Sequence, residues 1–205
     1  MRYSEGHKEE TRTKVLQAAS RAIRLRGPEG ISVAEIMKEA GLTHGGFYAH
    51  FPSKDALVVA AVEAAFEDSR KRYVRAGEGL SPAEHLSRFV DFYVSQVHRD
   101  VPERGCPVTT LSIDLPRQGG AARAAYDAGV KRLILRIAGH LTVGAPEDRE
   151  ALAGSMLAEM AGAVLLARAV ADPVLSDRLL ADCRRSVKAR MGLPESPRIS
   201  SPEQD

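Results

Sequence analysis

Apolar residues recur every three or four positions along most of the chain, a spacing that is typical of amphipathic helices. Alanine and leucine are abundant and tryptophan is absent, which favours helix over strand. Short stretches containing glycine or proline separate the periodic segments. The chain is therefore predicted to be all-α, with long helices at about residues 8–26, 54–77, 81–99, 121–141, 146–171 and 174–190.

The stretch from Ile31 to Lys54 departs from this pattern, because it predicts two short helices joined by a tight turn. Ser32 followed by Glu35 is a capping box, which marks a helix start. Gly41 supplies the left-handed conformation that ends a helix. The second short helix is predicted from Thr43 to about Ala49. Two helices joined by a short turn containing glycine are typical of a helix-turn-helix.

Two successive glycines, Gly45 and Gly46, lie within the second short helix. A glycine in a helix costs about 1 kcal/mol relative to alanine. The pair therefore indicates that a partner approaches this backbone closely, and a duplex groove or a phosphate is a good candidate. Phe47 and Phe51 are expected to anchor the segment to the core, which leaves polar side chains around its outside.

From Gly41 to Lys54 the chain reads G-L-T-x-G-x-F-Y-x-H-F-x-S-K, and here it resembles the TetR/AcrR-type regulators. The resemblance is close over residues 8 to about 66 and holds only in general plan beyond them. It implies an N-terminal three-helix DNA-binding domain and a C-terminal helical domain for ligand binding and dimerisation. Proteins of this plan are homodimeric repressors that a small ligand releases from DNA.

The candidate DNA contacts fall into two groups. Thr43 and His44 are the side chains expected to reach base edges, with Gly45 and Gly46 permitting close approach. The expected phosphate contacts are Ser32, Tyr48, His50 and Lys54. The alternatives are an ordinary surface aromatic at Tyr48 and a backbone-bonded ring at His50. Since few side chains reach the bases, DNA shape is expected to carry part of the specificity.

The resemblance and the spacing divide the chain into functional parts. Residues 8–55 are predicted to form the helix-turn-helix domain, linked by a helix over 54–77 to a helical ligand-binding and dimerisation domain over 56–192. Residues 1–7 and the Pro/Ser-rich tail 193–205 are predicted to be disordered.

Lys8, Arg12 and Lys14 lie near the start of the first predicted helix, where the helix dipole disfavours cations. One interpretation is an external anion, and the other is simple surface solvation.

The second domain has no motif that names a ligand. An apolar small molecule is expected, and the candidate pocket residues are Phe89, Tyr93, Cys106, Leu111 and Tyr126. The alternative for the aromatic residues is plain core. Cys106 follows a glycine at a predicted helix start near Arg104, which allows a redox or electrophile sensor. The alternative for Cys106 is a small buried filler.

The last two long helices carry an apolar surface too wide for one neighbouring helix to cover. Two such helices from each subunit are expected to form a four-helix bundle, and a palindromic operator would follow from the two-fold symmetry. The alternative is that these helices complete the core of one subunit. The predicted interface residues are Met156, Leu157, Met160, Ala161, Val164, Leu179 and Cys183.

Composition narrows the function classes. The net charge is +2, with nine Lys/Arg against seven Asp/Glu in residues 1–55, so local phosphate contacts are expected rather than a broad basic surface. The two cysteines make no disulfide framework, and no signal peptide or membrane span is predicted, so the cytoplasm is expected. The six histidines follow no metal-ligand spacing, and no phosphate loop or nucleophile motif occurs.

The sequence therefore predicts a ligand-responsive transcriptional repressor, not an enzyme, with no metal or cofactor. The alternative is a helical dimeric interaction protein that binds protein, or DNA without sequence preference. The sign of regulation, the effector and the operator are left open by the sequence.

Overall fold

The computed structural model describes residues 5–195, and within that range the regular structure is helical with no strand. The prediction of an all-α chain is confirmed. The α-helices are α1 Glu5–Arg26, α2 Val33–Glu39, α3 Lys54–Ala76, α4 Pro82–Tyr93, α5 Gln96–Asp100, α6 Pro107–Leu111, α7 Gly120–Ala138, α8 Arg149–Ala169 and α9 Pro173–Arg190. Short 3-10 helices span His44–Ala49, Pro102–Arg104, Leu115–Arg117 and Pro146–Asp148.

Predicted and observed helix boundaries differ at the start of the chain and at Val94. Residues 5–7 are helical rather than disordered, while 1–4 lie outside the described residues. The helix predicted over 81–99 breaks at Val94, whose φ of −100° and ψ of 62° are not helical. The Ser95 hydroxyl donates to the Phe92 carbonyl at 2.7 Å and so occupies an acceptor of the last turn. Of the predicted disordered tail, residues 193–195 are non-helical, and 196–205 lie outside the described residues.

The chain folds as two compact units. The first comprises residues 1–72 and 97–133, and the second comprises 73–96 and 134–205. Helices α3 and α7 each contribute residues to both units. The predicted division at residues 55 and 56 is a functional one, and it stays a prediction.

The core of the first unit joins the N-terminal helices to a segment that follows much later in the chain. Phe47 and Phe51, each 2% exposed, anchor the short 3-10 helix in this core as predicted. Leu111 and Leu115 reach the same cluster from the later segment. The other large members are Val15, Ile23, Ile31, Ile36, Met37, Leu57, Val58, Val62 and Phe66.

A buried arginine ties α1 to α3 and to the loop before α6. The side chain of Arg24 is 2% exposed, and its Nη2 lies 3.1 Å from the Asp68 carboxylate. Arg24 Nη1 donates to the Gly105 carbonyl at 3.2 Å, and Nη2 also donates to the Ser20 hydroxyl at 3.0 Å. Burial is the main cause that lowers the pKa of Arg24, and the Asp68 charge opposes it. Removing one partner of such a pair leaves an uncompensated buried charge, at a cost of about 3–5 kcal/mol.

The second unit is built mainly on α4, α8 and α9. Its α4 begins with the predicted capping box, in which Ser81 accepts from the Glu84 backbone and Glu84 accepts from Ser81. The core residues of these helices include Leu86, Val90, Met156, Met160, Val164, Leu180 and Val187.

The predicted dimer interface needs correcting at five positions. Met156, Leu157, Met160, Ala161 and Val164 are at most 7% exposed within a single chain, because the chain's own helices cover them. These residues therefore belong to the core of the unit. The other two predicted residues, Leu179 and Cys183, remain partly exposed. Large apolar side chains that stay exposed on α8 and α9 are Leu166 at 57%, Val174 at 74% and Leu175 at 40%.

Candidate nucleic-acid interface

The first motif helix, α2, is fixed by Ser32. Its hydroxyl accepts from the Glu35 backbone N–H at 3.4 Å, which confirms the predicted helix start. The reciprocal half of the capping box is absent, because the Glu35 carboxylate accepts from Arg26 at 2.7 Å instead. Ser32 is half-buried at the start of the helix. Ser32 therefore stabilises the first turn of α2, while part of the serine itself stays exposed to solvent.

The turn after α2 closes through Gly41, whose φ is +76°. Leu42 donates its backbone N–H to Met37 at 2.8 Å, and Gly41 donates to Lys38 at 3.0 Å. A residue with a side chain is strained at such a φ, so glycine is required here. The predicted role of Gly41 is confirmed.

The second motif helix is a 3-10 helix of six residues, His44–Ala49, rather than an α-helix. Its backbone bonds span three residues, as from Gly46 to Thr43 at 3.1 Å and from His50 to Phe47 at 2.9 Å. The two glycines lower the preference for an α-helix, which explains the tighter winding. Thr43 precedes the segment in an extended conformation and makes no side-chain capping bond.

All eight predicted DNA-contact residues reach the surface. Thr43, His44, Gly45, Tyr48 and Lys54 are exposed, and Tyr48 is 70% exposed. The other three, Ser32, Gly46 and His50, are half-buried. The polar side of the motif is thus open, while its aromatic anchors are in the core.

Neither packing nor backbone conformation requires the glycine pair. A Cβ added at Gly45 would meet no atom within 4 Å, and one added at Gly46 would lie 3.6 Å from Met37 Cε, an ordinary contact. Neither glycine has a positive φ. A Cβ at either position would therefore meet no steric conflict within the fold.

His50 lies at the end of the 3-10 helix with a buried Nδ1 that has no hydrogen-bond partner within the described part of the chain. The backbone-bonded alternative for this nitrogen is therefore not what the structure shows. Burial lowers the pKa of His50, and the positive charges of Lys8 and Arg12 lower it further. In the absence of an anion, the neutral ring is favoured.

The five candidate ligand residues fall in different units. Phe89 and Tyr93 belong to the second unit, where their ring centroids are 5.4 Å apart. Cys106, Leu111 and Tyr126 belong to the first, where Tyr126 packs against Phe66 at 5.6 Å.

Cys106 is 7% exposed, and its backbone N–H donates to His98 Nε2 at 2.8 Å. The sensor hypothesis for its thiol stays a prediction.

A histidine-tyrosine cluster in the second unit is not predicted by any sequence pattern. His85 Nε2 donates to the Tyr73 carbonyl at 2.8 Å, and the Tyr73 hydroxyl lies 3.1 Å from His140 Nδ1. The rings of His85 and His140 are 4.7 Å apart. Burial lowers the pKa of His85, against the opposing effect of its bond to Tyr73. These residues are far apart in the sequence and follow no common spacing, so no sequence pattern could have linked them.

Two other types of site, a metal centre and a membrane span, bear on the function. Between residues 5 and 195, no group of three or more His, Cys, Asp or Glu side chains is placed to hold a metal ion. One helical segment in that range, Pro146–Ala169, is long and apolar enough to cross a membrane. Core helices of soluble proteins meet the same criterion, and Met156, Met160 and Val164 of this segment are packed inside the unit.

Comparison with known proteins places the motif in a family. The model of bacterial regulatory proteins of the tetR family matches residues 15–61. The transcriptional regulator LmrA of Bacillus subtilis is 30% identical over 124 residues, which are 60% of this chain and 66% of LmrA. The chain belongs to the tetR family of bacterial regulatory proteins. The transcriptional repressor NemR of Escherichia coli is 28% identical over 131 residues, 61% of this chain and 64% of NemR. The matched stretch thus spans slightly under two thirds of these tetR-family relatives.

Solved tetR-family structures extend the similarity in fold beyond the matched sequence. A tetR regulator from Chloroflexus aurantiacus superposes with a TM-score of 0.74 at 26% identity, covering 90% of this chain and 95% of that one. The reduced form of Escherichia coli NemR gives a TM-score of 0.75 at 23% identity, covering 90% and 98%. The N-terminal helix-turn-helix and the C-terminal helical part therefore follow the tetR-family fold.

Proposed function

We propose that this chain is a ligand-responsive transcriptional repressor that binds a palindromic operator in the cytoplasm as a homodimer. The observation that carries the proposal is the open surface around Gly45 and Gly46 in the helix-turn-helix motif, where neither packing nor a positive φ requires glycine. Thr43 and His44 flank this surface and read base edges. Ser32, Tyr48, His50 and Lys54 surround it as phosphate contacts.

A selection of random duplexes by the purified protein, followed by sequencing, tests this function. We expect a palindrome whose half-sites are about one helical turn or more apart. The matched control is Gly45→Leu, which adds a side chain to the open surface at a position where an added Cβ meets no atom within 4 Å. Binding without any enriched sequence would favour the alternative, a helical dimeric interaction protein without sequence preference.

The dimer is proposed to form through the exposed faces of α8 and α9 rather than through the buried residues predicted from sequence. Leu166, Val174 and Leu175 supply apolar surface there. Leu166→Asp should convert the dimer to a monomer in sedimentation velocity. Val97→Asp is the control, because Val97 is 63% exposed but lies in the other unit. A wild-type monomer at micromolar concentration would contradict the proposed dimer.

Release by a small apolar effector is proposed to act through α3. A ligand bound in the helical domain shifts this helix and changes the separation of the two recognition segments of the dimer. Since the dimer binds DNA with both segments at once, a small change in the distance between them greatly lowers its affinity for DNA. Phe89 and Tyr93 are the aromatic residues we propose for the ligand. Unchanged distances between spin labels at Lys38→Cys of the two subunits, on adding a releasing ligand, would contradict this mechanism.

A further inference from the structure

The cations at the start of α1 differ in their partners. Lys14 forms an ion pair with Glu10 at 2.8 Å. Among the described side chains of residues 6–195, no carboxylate forms an ion pair with Lys8 or Arg12. The charge of Lys14 is therefore compensated within the chain, whereas solvent or an external anion has to balance Lys8 and Arg12.

Lys8 and Arg12 face the helix-turn-helix motif. Their spacing of four residues places them on one side of α1, and Val15, three residues further, is fully buried in the core of the first unit. The guanidinium carbon of Arg12 lies 5.1 Å from the centroid of the Phe51 ring. The face of α1 that carries the unpaired cations is thus held against the end of the motif.

His50 lies beside these cations and completes the cluster. The charges that act on its ring come from Lys8 and Arg12, both on α1, and no carboxylate is among them. Its buried Nδ1 has no partner among the described residues. The cluster therefore brings together two cations and an imidazole that no described carboxylate neutralises.

We propose that Lys8, Arg12 and His50 together hold one backbone phosphate of DNA, and that His50 takes up a proton as this phosphate binds. The inference rests on the proposed DNA-binding function and adds two contacts, Lys8 and Arg12, together with a regulation by pH. A lysine ammonium and an arginine guanidinium are common donors to phosphate oxygens.

The proton linkage follows from charge balance. In the free protein, burial of the ring and then the positive charges of Lys8 and Arg12 lower the pKa of His50, which favours the neutral form. A bound phosphate supplies a negative charge that favours the imidazolium, and the proton comes from the buffer to a ring nitrogen. Affinity for DNA therefore rises as the pH falls through the range between the pKa values of the free and bound states. With one proton taken up, the affinity changes by at most about tenfold per pH unit.

The experiment measures binding of a fluorescent random-sequence duplex of about 30 base pairs by anisotropy, between about 50 and 200 mM salt. Phosphate contacts are independent of sequence, so no operator is needed. Lys8→Gln and Arg12→Gln should each weaken binding about tenfold and reduce the slope of log affinity against log salt by about one. The control Lys14→Gln should leave both quantities close to the wild-type values. Circular dichroism melting checks the fold of each variant, and Lys8→Gln carries the test because Lys8 is exposed.

The linkage is measured on the same duplex from pH 5.5 to 8.5. His50→Gln should lose the pH dependence, whereas His7→Gln on α1 should keep it. If Lys8→Gln, Arg12→Gln and Lys14→Gln had the same affinity and the same salt slope, the phosphate site would be overturned. If His50→Gln kept the pH dependence of the wild type, the proton uptake would be overturned. A wild-type protein that fails to bind any duplex at the lowest salt would overturn the DNA-binding function itself, and the inference with it.

Discussion

The helix-turn-helix motif and the core of the second unit use the same residue types in opposite ways. In the motif, Tyr48 is 70% exposed and His50 keeps a nitrogen without a partner in the described chain. In the second unit, Tyr73 and His85 are 5% and 7% exposed and hydrogen-bond within the cluster. Polar aromatic side chains that contact an outside partner thus stay exposed, whereas those that stabilise the fold are buried and form hydrogen bonds within the chain.

The largest expected effect is a loss of stability that distinguishes a substitution in the second unit from one in the motif. Phe89 is 9% exposed and packs against the ring of Tyr73 at a centroid distance of 4.9 Å. Phe89→Ala should lower the free energy of unfolding by about 3–5 kcal/mol, because it leaves a cavity. Tyr48→Ala should change it by no more than about 0.5 kcal/mol and weaken DNA binding instead. Urea unfolding and duplex binding, measured on both variants, check the contrast, and a large stability loss in Tyr48→Ala would contradict it.

The second effect concerns the glycine pair. Gly45→Leu should reduce DNA affinity about a hundredfold, roughly 2.7 kcal/mol, because the side chain occupies the surface that a duplex approaches. The melting temperature should barely change, since the added Cβ meets no atom within 4 Å. Gly41→Ala is the opposite control, because its φ of +76° strains any side chain and should cost roughly 1–2 kcal/mol of stability. Tight binding by Gly45→Leu would remove the main support for the DNA interface.

A third, smaller effect is the pH dependence of stability. Burial holds the pKa of His85 below its ordinary value in the folded state, with His140 and Arg88 adding to the effect. The unfolded chain therefore binds more protons, so stability is complete above about pH 6.5 and declines as the pH falls below it. His85→Gln should flatten part of this decline in urea titrations between pH 5 and 8. His50, whose pKa is also lowered, contributes in the same direction, and the exposed His7→Gln serves as the control.

The smallest effect is a slow reaction at a partly exposed thiol. Burial and the charge of Glu159 raise the pKa of Cys183 to about 11. Only roughly 0.1% of this thiol is ionised at pH 8, so alkylation by iodoacetamide should be slow and accelerate about tenfold per pH unit up to pH 10. Mapping the adducts tests the sensor hypothesis as well, because an absence of labelling at Cys106 would end it.

The parts predicted from sequence are those that local chemistry determines. Helix periodicity, the turn at Gly41 and the capping box at Ser81 depend on residues a few positions apart, and each is confirmed. The eight proposed DNA contacts could be placed on the surface because the ordered motif fixes which side chains point outward.

The parts that failed depend on residues that meet only after folding. The wide apolar surface on α8 indicated that the helix is buried, but it did not indicate whether the same chain or a second subunit covers it. Met156 and Met160 were therefore predicted to contact a second subunit, whereas helices of the same chain cover them. The candidate ligand residues belong to both units, and their role stays a prediction. Chain order says nothing about which helix packs on which, and neither does the composition of a single helix.

The network around Arg24 has a consequence for building chimeric regulators. A DNA-reading module cut after residue 55 would keep the Ser20 acceptors of Arg24, but Asp68 and the Gly105 carbonyl would come from the other parent. Exchange of specificity between sensors is better made by transplanting residues 1–72 together with 97–133, or by altering single positions of the short 3-10 helix. The part that can be exchanged as a whole is thus larger than the helix-turn-helix motif, and two separate segments of the sequence form it.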